Sequence, residues 1–453
     1  MNVEIGPINP LHTDDSRSVE LVESRKLVVA GEKFIEEEHE GLELDANGNP
    51  IKLANNASPL TIFMFVNYMI GSGILNQPHV FRASGLVGGS IGFIIAGYCT
   101  WLSLLIITDA GITNKVLDYS GLGKLAFAKT GLLINDTSIV VYAFGALLSY
   151  VLIIGSTMSD LLSGWGCHSD FCSIYGITLT FITLFVLPPC LMRQFGHLAY
   201  VSIFSIFTIV LVLGLVIIGG PIRTKETVYP EPLTVFSFKG LLTSMGSIIF
   251  ALACSAPTFQ AYVAADKPLR NMTSWSRITG IAVLIGGTMC AVMGVAGYLS
   301  FQSTTQQNIL SNFTEHGFDF FKMMVVCHIC AYIPTDFMIM RYSIVKLVLD
   351  KKAEALSWRL HVILTVFLLY FTVALALGMI KAGLTSGDAF DLTLNITGGV
   401  AGSIVGFIMP SAIYLKVMPE DAKYRTHSKV LFCAGWLFMA LVIAGIVLSR
   451  KGP

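Results

Sequence analysis

The sequence predicts an all-α polytopic membrane protein of about eleven transmembrane helices, built as two five-helix inverted repeats with one helix appended. Three observations carry this. Of 453 residues, 54% are hydrophobic and 13% charged, with a mean hydropathy of +0.71; soluble proteins carry about 25% charged residues. Successive windows approach the roughly 20 apolar residues that a spanning helix needs. Two of those windows, five spans apart, are interrupted at their centres.

Residues 1–57 are polar throughout and acidic in places, as in "GEKFIEEEHEGLELD" at 31–45. No cleavable signal peptide is expected there, and the stretch is assigned as a disordered cytoplasmic tail. The membrane domain follows over 58–449. Spans are predicted near 59–81, 86–109, 133–162, 174–192, 198–219, 240–263, 278–301, 318–340, 360–380, 391–415 and 429–449. The first repeat covers about 58–219, the second about 240–415, and the eleventh helix about 429–449. The third span is long enough to tilt or to project into the cytoplasm.

Loop charge orients the chain. The loops after even-numbered spans, with their flanks, carry twice the lysine and arginine of the other face; Lys115, Lys124, Lys129, Arg193, Arg270, Lys351 and Lys352 are among them. This places the N-terminus in the cytoplasm. Two features on the opposite face agree. Cys167 and Cys172 in "GWGCHSDFCS" could pair only in an oxidising compartment, and Asn312-Phe-Thr314 is a glycosylation acceptor sequence. A plasma membrane is preferred, and a vacuolar or lysosomal one fits the same topology.

Formal net charge is zero, which gives no reason to expect nucleic acid as a partner. The nine cysteines are scattered, and neither a metal site nor a cofactor is expected. No nucleophile–base set points to a membrane enzyme, and no filter-like repeat points to a channel.

The first span holds "NYMIGSGILNQPHVF" at 67–81. Glycine costs about 1 kcal/mol and proline about 3 kcal/mol in a helix interior. Unwound backbone in the bilayer persists only around protein or a wet cavity, and secondary transporters use discontinuous helices as binding sites. Gly71, Ser72 and Gly73 therefore become candidates for holding a substrate carboxylate, against the alternative of a small-residue helix crossing. The sixth span repeats the pattern with Cys254, Ser255, Ala256 and Pro257. Together they predict a secondary transporter, with a membrane sensor that binds its ligand without net transport as the alternative.

These residues resemble the amino acid/auxin permease family, which includes neutral amino acid transporters of animals and amino acid permeases of fungi. "NYMIGSGILNQPHVFRASG", "FGALLSYVLIIGS" (144–156), "FVLPPCLMRQFGHLAYVS" (185–202), "FALACSAPTFQAY" (250–262) and "GVAGYLSFQ" (294–302) carry the resemblance, in order, along about 58–449. It implies the leucine-transporter fold and amino acid transport coupled to a proton or sodium gradient. It also implies that Gly71, Ser72 and Gly73 hold the carboxylate, Tyr150 closes the site, and Cys254 and Ser255 line it. Asn67 matches an asparagine associated with sodium in the animal branch. In the eighth span, "CHICAYIPTDFMIMR", Pro334 and Arg341 align, but Cys330 and Tyr332 fall where a sodium-facing threonine is expected.

His328 and Asp336 are the ionisable pair of that span. Eight residues apart, they share a helical face, and either could carry a proton. The alternative pairs Asp336 with Arg341 near the cytoplasmic end. Spans 1, 3 and 6 have no acidic residue at their centres, so neutral amino acids are the expected substrate. Tyr68, Phe144, Tyr150 and Phe250 could define the pocket.

Overall fold

The computed structural model describes residues 57–192, 198–225, 232–349 and 356–450. The acidic tail expected over 1–57 lies, as far as residue 56, outside the described residues, as do Arg193, Lys351 and Lys352 of the loop-charge argument. The described chain is almost wholly helical.

Helix α1 (Ser58–Met69) has proline in its first turn and stops at Ile70. A 3-10 turn, Ser72–Asn76, follows. Helix α2 (Gln77–Asn114) then starts with Pro78, where a missing N–H costs nothing. Within α2 the backbone turns sharply at Gly85, with φ at 79°. A Cβ there would lie 2.6 Å from the Val235 carbonyl carbon, and Leu86 and Val87 N–H donate to the Thr234 and Val235 carbonyls at 3.2 and 2.9 Å. The turn thus divides the end of the first predicted span from the second.

Helix α3 (Tyr119–Gly164) is capped by Asp118, which accepts from Gly121 N–H at 2.8 Å. It breaks at Phe127–Ala128, with Ala128 at φ 52°. The first piece folds back on the rest: Ser120 Oγ donates to Asp136 at 2.5 Å, and Gly123 and Gly131 meet backbone to backbone. The first piece is therefore a separate short helix that precedes the predicted third span.

Helix α4 (Ile174–Phe181) runs on through a π turn at Ile182–Val186 to Cys190. Helix α5 (Leu198–Gly214) precedes the second broken element, α6 (Phe238–Leu252) and α7 (Thr258–Ala264). There follow α8 (Met272–Phe301), α9 (Asp319–Leu349), α10 (Trp358–Lys381) and α11 (Ser386–Ile396). Two π segments, Thr397–Gly402 and Ile404–Ile408, carry α11 into α12 (Met409–Val417), and α13 (Arg425–Arg450) closes the bundle. Among the described residues eight helical stretches are long and apolar enough to cross a membrane, and Ile174–Cys190 and Phe238–Leu252 are shorter apolar helices.

The buried centre is made where α3 packs on α9 and α2 packs on α6 and α8. Small residues permit backbone contact there: Gly145 lies against Thr397, and Gly398 against the Gly246 carbonyl. One end of the bundle gathers the loops after α3, α5 and α8, joined by Trp165 Nε1–H to Asp319 at 2.8 Å and Arg223 to Glu315 at 3.1 Å. Cys167 and Cys172 form a disulfide at this end. The opposite end holds the Lys346–Asp118 ion pair at 2.7 Å.

Candidate functional site

The two helix interruptions face one another across a cavity of about 50 Å³. By the measure of roughly 10–15 Å³ per water, it has room for about four waters. Tyr68 and Gly71 line it from the first break and Phe250, Ser255 and Pro257 from the second, while Tyr150 of α3, Asp336 of α9 and Gly406 beside α12 close it.

Each break leaves helix-terminal carbonyls without intrahelical partners, and a tyrosine hydroxyl meets one at each. Tyr332 O–H donates to the Asn67 carbonyl in the last turn of α1 at 3.2 Å. Tyr142 O–H donates to the Phe250 carbonyl in the last turn of α6 at 2.9 Å. Within the 3-10 turn, Gln77 Nε2–H donates to the Gly73 carbonyl at 2.7 Å, and the Ser72 and Ser149 hydroxyls lie 2.5 Å apart. Chain that would be costly in hydrocarbon is thus held by named donors.

Asp336 sits in the cavity wall, and Tyr150 O–H donates to its Oδ2 at 3.1 Å. Among the described residues, no other charged side chain lines this cavity. Arg341, foreseen as a partner for Asp336, is engaged elsewhere: it donates to the Cys190 carbonyl, the Met192 carbonyl and Thr365 Oγ1, at 2.9, 3.2 and 3.1 Å. The reason is helix geometry: five residues along α9, Arg341 points toward the end of the α4 segment and α10.

The other candidates separate. Gly71 is close enough to Tyr150 that an added Cβ would lie 2.8 Å from Oη. Gly73 packs on α6, where a Cβ would lie 3.2 Å from Ala251 Cα. Ser255 lines the cavity and is 3.4 Å from the Ser103 hydroxyl, whereas Cys254 is buried away from the wall. His328 is buried one turn before Tyr332, with ring centroids 5.8 Å apart, and is not a wall residue. Of the four candidate aromatics, Tyr68, Tyr150 and Phe250 face the cavity, and Phe144 packs on Phe371 instead.

Asn312 is 9% exposed, and both ends of its amide are engaged: Nδ2–H donates to the Thr304 carbonyl at 3.0 Å, and Oδ1 accepts from Gln306 N–H at 2.8 Å. The side chain thus braces its own loop. The motif is local in sequence, but accessibility is set by the fold around it.

The sequence reading missed Tyr142. It lies eight residues before Tyr150, about two turns, so the shared helical face was a usable signal. It also passed over the Cys-x-x-Cys spacing of Cys327 and Cys330, of which the first is exposed and the second half-buried.

A family model described as transmembrane amino acid transporter protein matches residues 57–448. The chain is 26% identical over 401 residues to the putative sodium-coupled neutral amino acid transporter 11 of Bos taurus, covering 86% of this chain and 83% of that one. It is 22% identical over 395 residues to vacuolar amino acid transporter 2 of Saccharomyces cerevisiae, covering 83% and 80%. Among solved structures it is similar to that of a mutant manganese transporter from Eremococcus coleocola, with a TM-score of 0.54, 11% identity and 90% of each chain covered. That last likeness concerns the fold alone, which is all-helical and leucine-transporter-like.

Proposed function

The chain belongs to the transmembrane amino acid transporter family, and on that premise we propose that it moves neutral amino acids by alternating access around its two broken helices, driven by a proton gradient. The observation that carries this is one carboxylate, Asp336, in the wall of a cavity that both helix breaks line. Gly71–Gly73 present backbone N–H groups to the substrate carboxylate, Asp336 and the carbonyls near Phe250 receive the ammonium, and Tyr150 joins the two sides. A carboxylate at this depth needs a proton or a counter-charge. Exchange of the proton for a substrate ammonium would link the two movements, with His328 as a second relay candidate.

The inverted repeats, 58–219 and 240–415, make the two breaks equivalent positions. The N-terminus is placed in the cytoplasm and the disulfide end outside, at the plasma membrane; a yeast vacuolar relative keeps an organelle membrane in play.

The sodium-driven reading has a specific observation too, the name of the bovine relative. Against it, Cys330 and Tyr332 stand in the eighth span where a sodium-facing threonine is expected. Uptake of labelled alanine, glutamine and leucine into proteoliposomes, under imposed pH or sodium gradients separately, decides. Accumulation driven by pH alone, and lost in Asp336→Asn while exchange persists, is the expected result. A requirement for sodium would return Asn67 to the ion site. Binding without accumulation under either gradient would favour a sensor.

A further inference from the structure

We propose that an open cavity on the flank of the bundle holds the headgroup of a phospholipid with a primary ammonium, phosphatidylethanolamine. It measures about 540 Å³ and lies among α2, α6, α11 and α13, within the range of about 300–1,000 Å³ usual for ligand pockets. It sits toward the disulfide end. Helix α6 starts beside it, and Arg82, three residues after the wall residue His79, donates to the Thr305 carbonyl in the loop after α8 at 2.8 Å.

The two sides of the cavity differ in polarity. At the start of α6, Lys239 is exposed and, among the described residues, pairs with no carboxylate. Ser237 caps the helix by accepting from Gly240 N–H at 3.1 Å, which leaves its own O–H to donate. A helix N-terminus favours negative charge, and an ammonium and a hydroxyl beside it suit a phosphate. The other side offers acceptors. Asp391 Oδ1 accepts from Asn76 Nδ2–H at 2.8 Å, while its Oδ2 has no hydrogen-bond partner among the described residues. The Thr243 and Ser244 hydroxyls donate to the Gly240 carbonyl at 3.0 and 2.7 Å, so their oxygens keep lone pairs for a donor in the cavity. His79, whose Nδ1 has no partner among the described residues, can serve either side. A donor side and an acceptor side together fit a zwitterion.

The rim decides which zwitterion. Val235, Phe236 and Phe238, next to Lys239, are 62, 51 and 61% exposed, and Ile443 and Val447 are exposed around the wall residue Ile446 of α13. A polar cavity ringed by exposed apolar side chains, on a chain that crosses a membrane, suits a headgroup whose acyl chains cover the ring. Ethanolamine is preferred to choline because a quaternary ammonium has no N–H for the Asp391 carboxylate or the two hydroxyl oxygens. The acceptor side also touches both broken elements: Asn76, the last residue of the first 3-10 turn, donates to Asp391 and, at 3.0 Å, to Ser247 Oγ of α6.

The test reads binding on the purified full chain and does not depend on transport, so failure of the transport reading leaves the inference standing. Delipidated protein is titrated with dioleoyl phosphatidylethanolamine, phosphatidylcholine or phosphatidylglycerol and followed by native mass spectrometry. One phosphatidylethanolamine per chain is expected to bind at least about tenfold more tightly than either of the others. Lys239→Met removes the charge and the donor at an exposed position and should weaken that lipid about ten- to a hundredfold. Thr243→Trp, which fills the cavity from α6, should abolish the preference as well, and it serves if Lys239→Met does not reach the membrane. Equal affinity for the three lipids in the wild type, or an unchanged preference in both variants, overturns the site. Displacement of the lipid by soluble phosphoethanolamine at equal concentration would assign the cavity to a free zwitterion and overturn it too.

Discussion

Replacing Gly71 with alanine probes the contact between the first helix break and the cavity wall. The added Cβ would lie 2.8 Å from Tyr150 Oη and 3.8 Å from its Cζ. Ordinary carbon–oxygen contact is about 3.3–3.6 Å, so the hydroxyl must retreat by about 0.5–0.8 Å. Its bond to Asp336 is already 3.1 Å long, just beyond the usual range of about 2.5–3.0 Å for a hydroxyl donor. The retreat therefore breaks it. A hydrogen bond to a charged group contributes about 1.5–3 kcal/mol, or roughly ten- to a hundredfold in apparent affinity. Saturation curves for pH-driven uptake in proteoliposomes, normalised to reconstituted protein, read that change directly. The mechanism is isolated by adding Tyr150→Phe, which removes Oη and leaves the ring. Tyr150→Phe alone should cost as much as Gly71→Ala, and the alanine should then cost almost nothing further. If Gly71→Ala loses the same factor in the phenylalanine background as in the wild type, the route through the tyrosine hydroxyl is wrong.

Three other substitutions test neighbouring parts of the structure. Tyr332→Phe removes the donor to the Asn67 carbonyl and should destabilise the protein by about 1–3 kcal/mol in thermal unfolding without making uptake sodium-stimulated; new sodium stimulation would identify that carbonyl as an ion ligand. Treatment with a glycosidase should leave the electrophoretic mobility of the wild type unchanged at the Asn312 sequon, while Asn312→Gln should lower the melting temperature because the loop loses two buried hydrogen bonds. Arg341→Lys should fail to accumulate in the membrane fraction or melt well below the wild type, since an ammonium cannot reproduce the guanidinium's spread of contacts to two carbonyls and Thr365; a wild-type melting curve would show those contacts to be dispensable.

Much of the central site was legible in the chain. Glycine and proline inside otherwise apolar windows are locally expensive, so the positions of the breaks at 70–76 and 253–257 could be read without a structure. Tyr150 followed from the resemblance. Asp336 was visible as a charge in an apolar span, but two roles stayed open because helical spacing says which residues share a face and not which element that face meets. The same limit explains Cys254 and Ser255. They are consecutive, and only the path of the unwound backbone turns one to the cavity and the other away. Asn312 shows the reverse case, in which a three-residue motif suggested exposure and the fold buried it.

Apolar length and the placement of helix-breaking residues, both local properties paid for against the bilayer, determined from sequence that this chain crosses a membrane many times and interrupts two of its crossings. Tertiary structure alone decided which groups satisfy the interruptions. Tyr332, Tyr142 and Gln77 reach freed carbonyls from other helices or from the next turn, and Asp336 is brought opposite Gly71 through Tyr150. Those partners lie up to 265 positions apart. Hydrogen bonds act over about 3 Å, so their pairing is fixed by how the helices pack and cannot be read from separation along the chain.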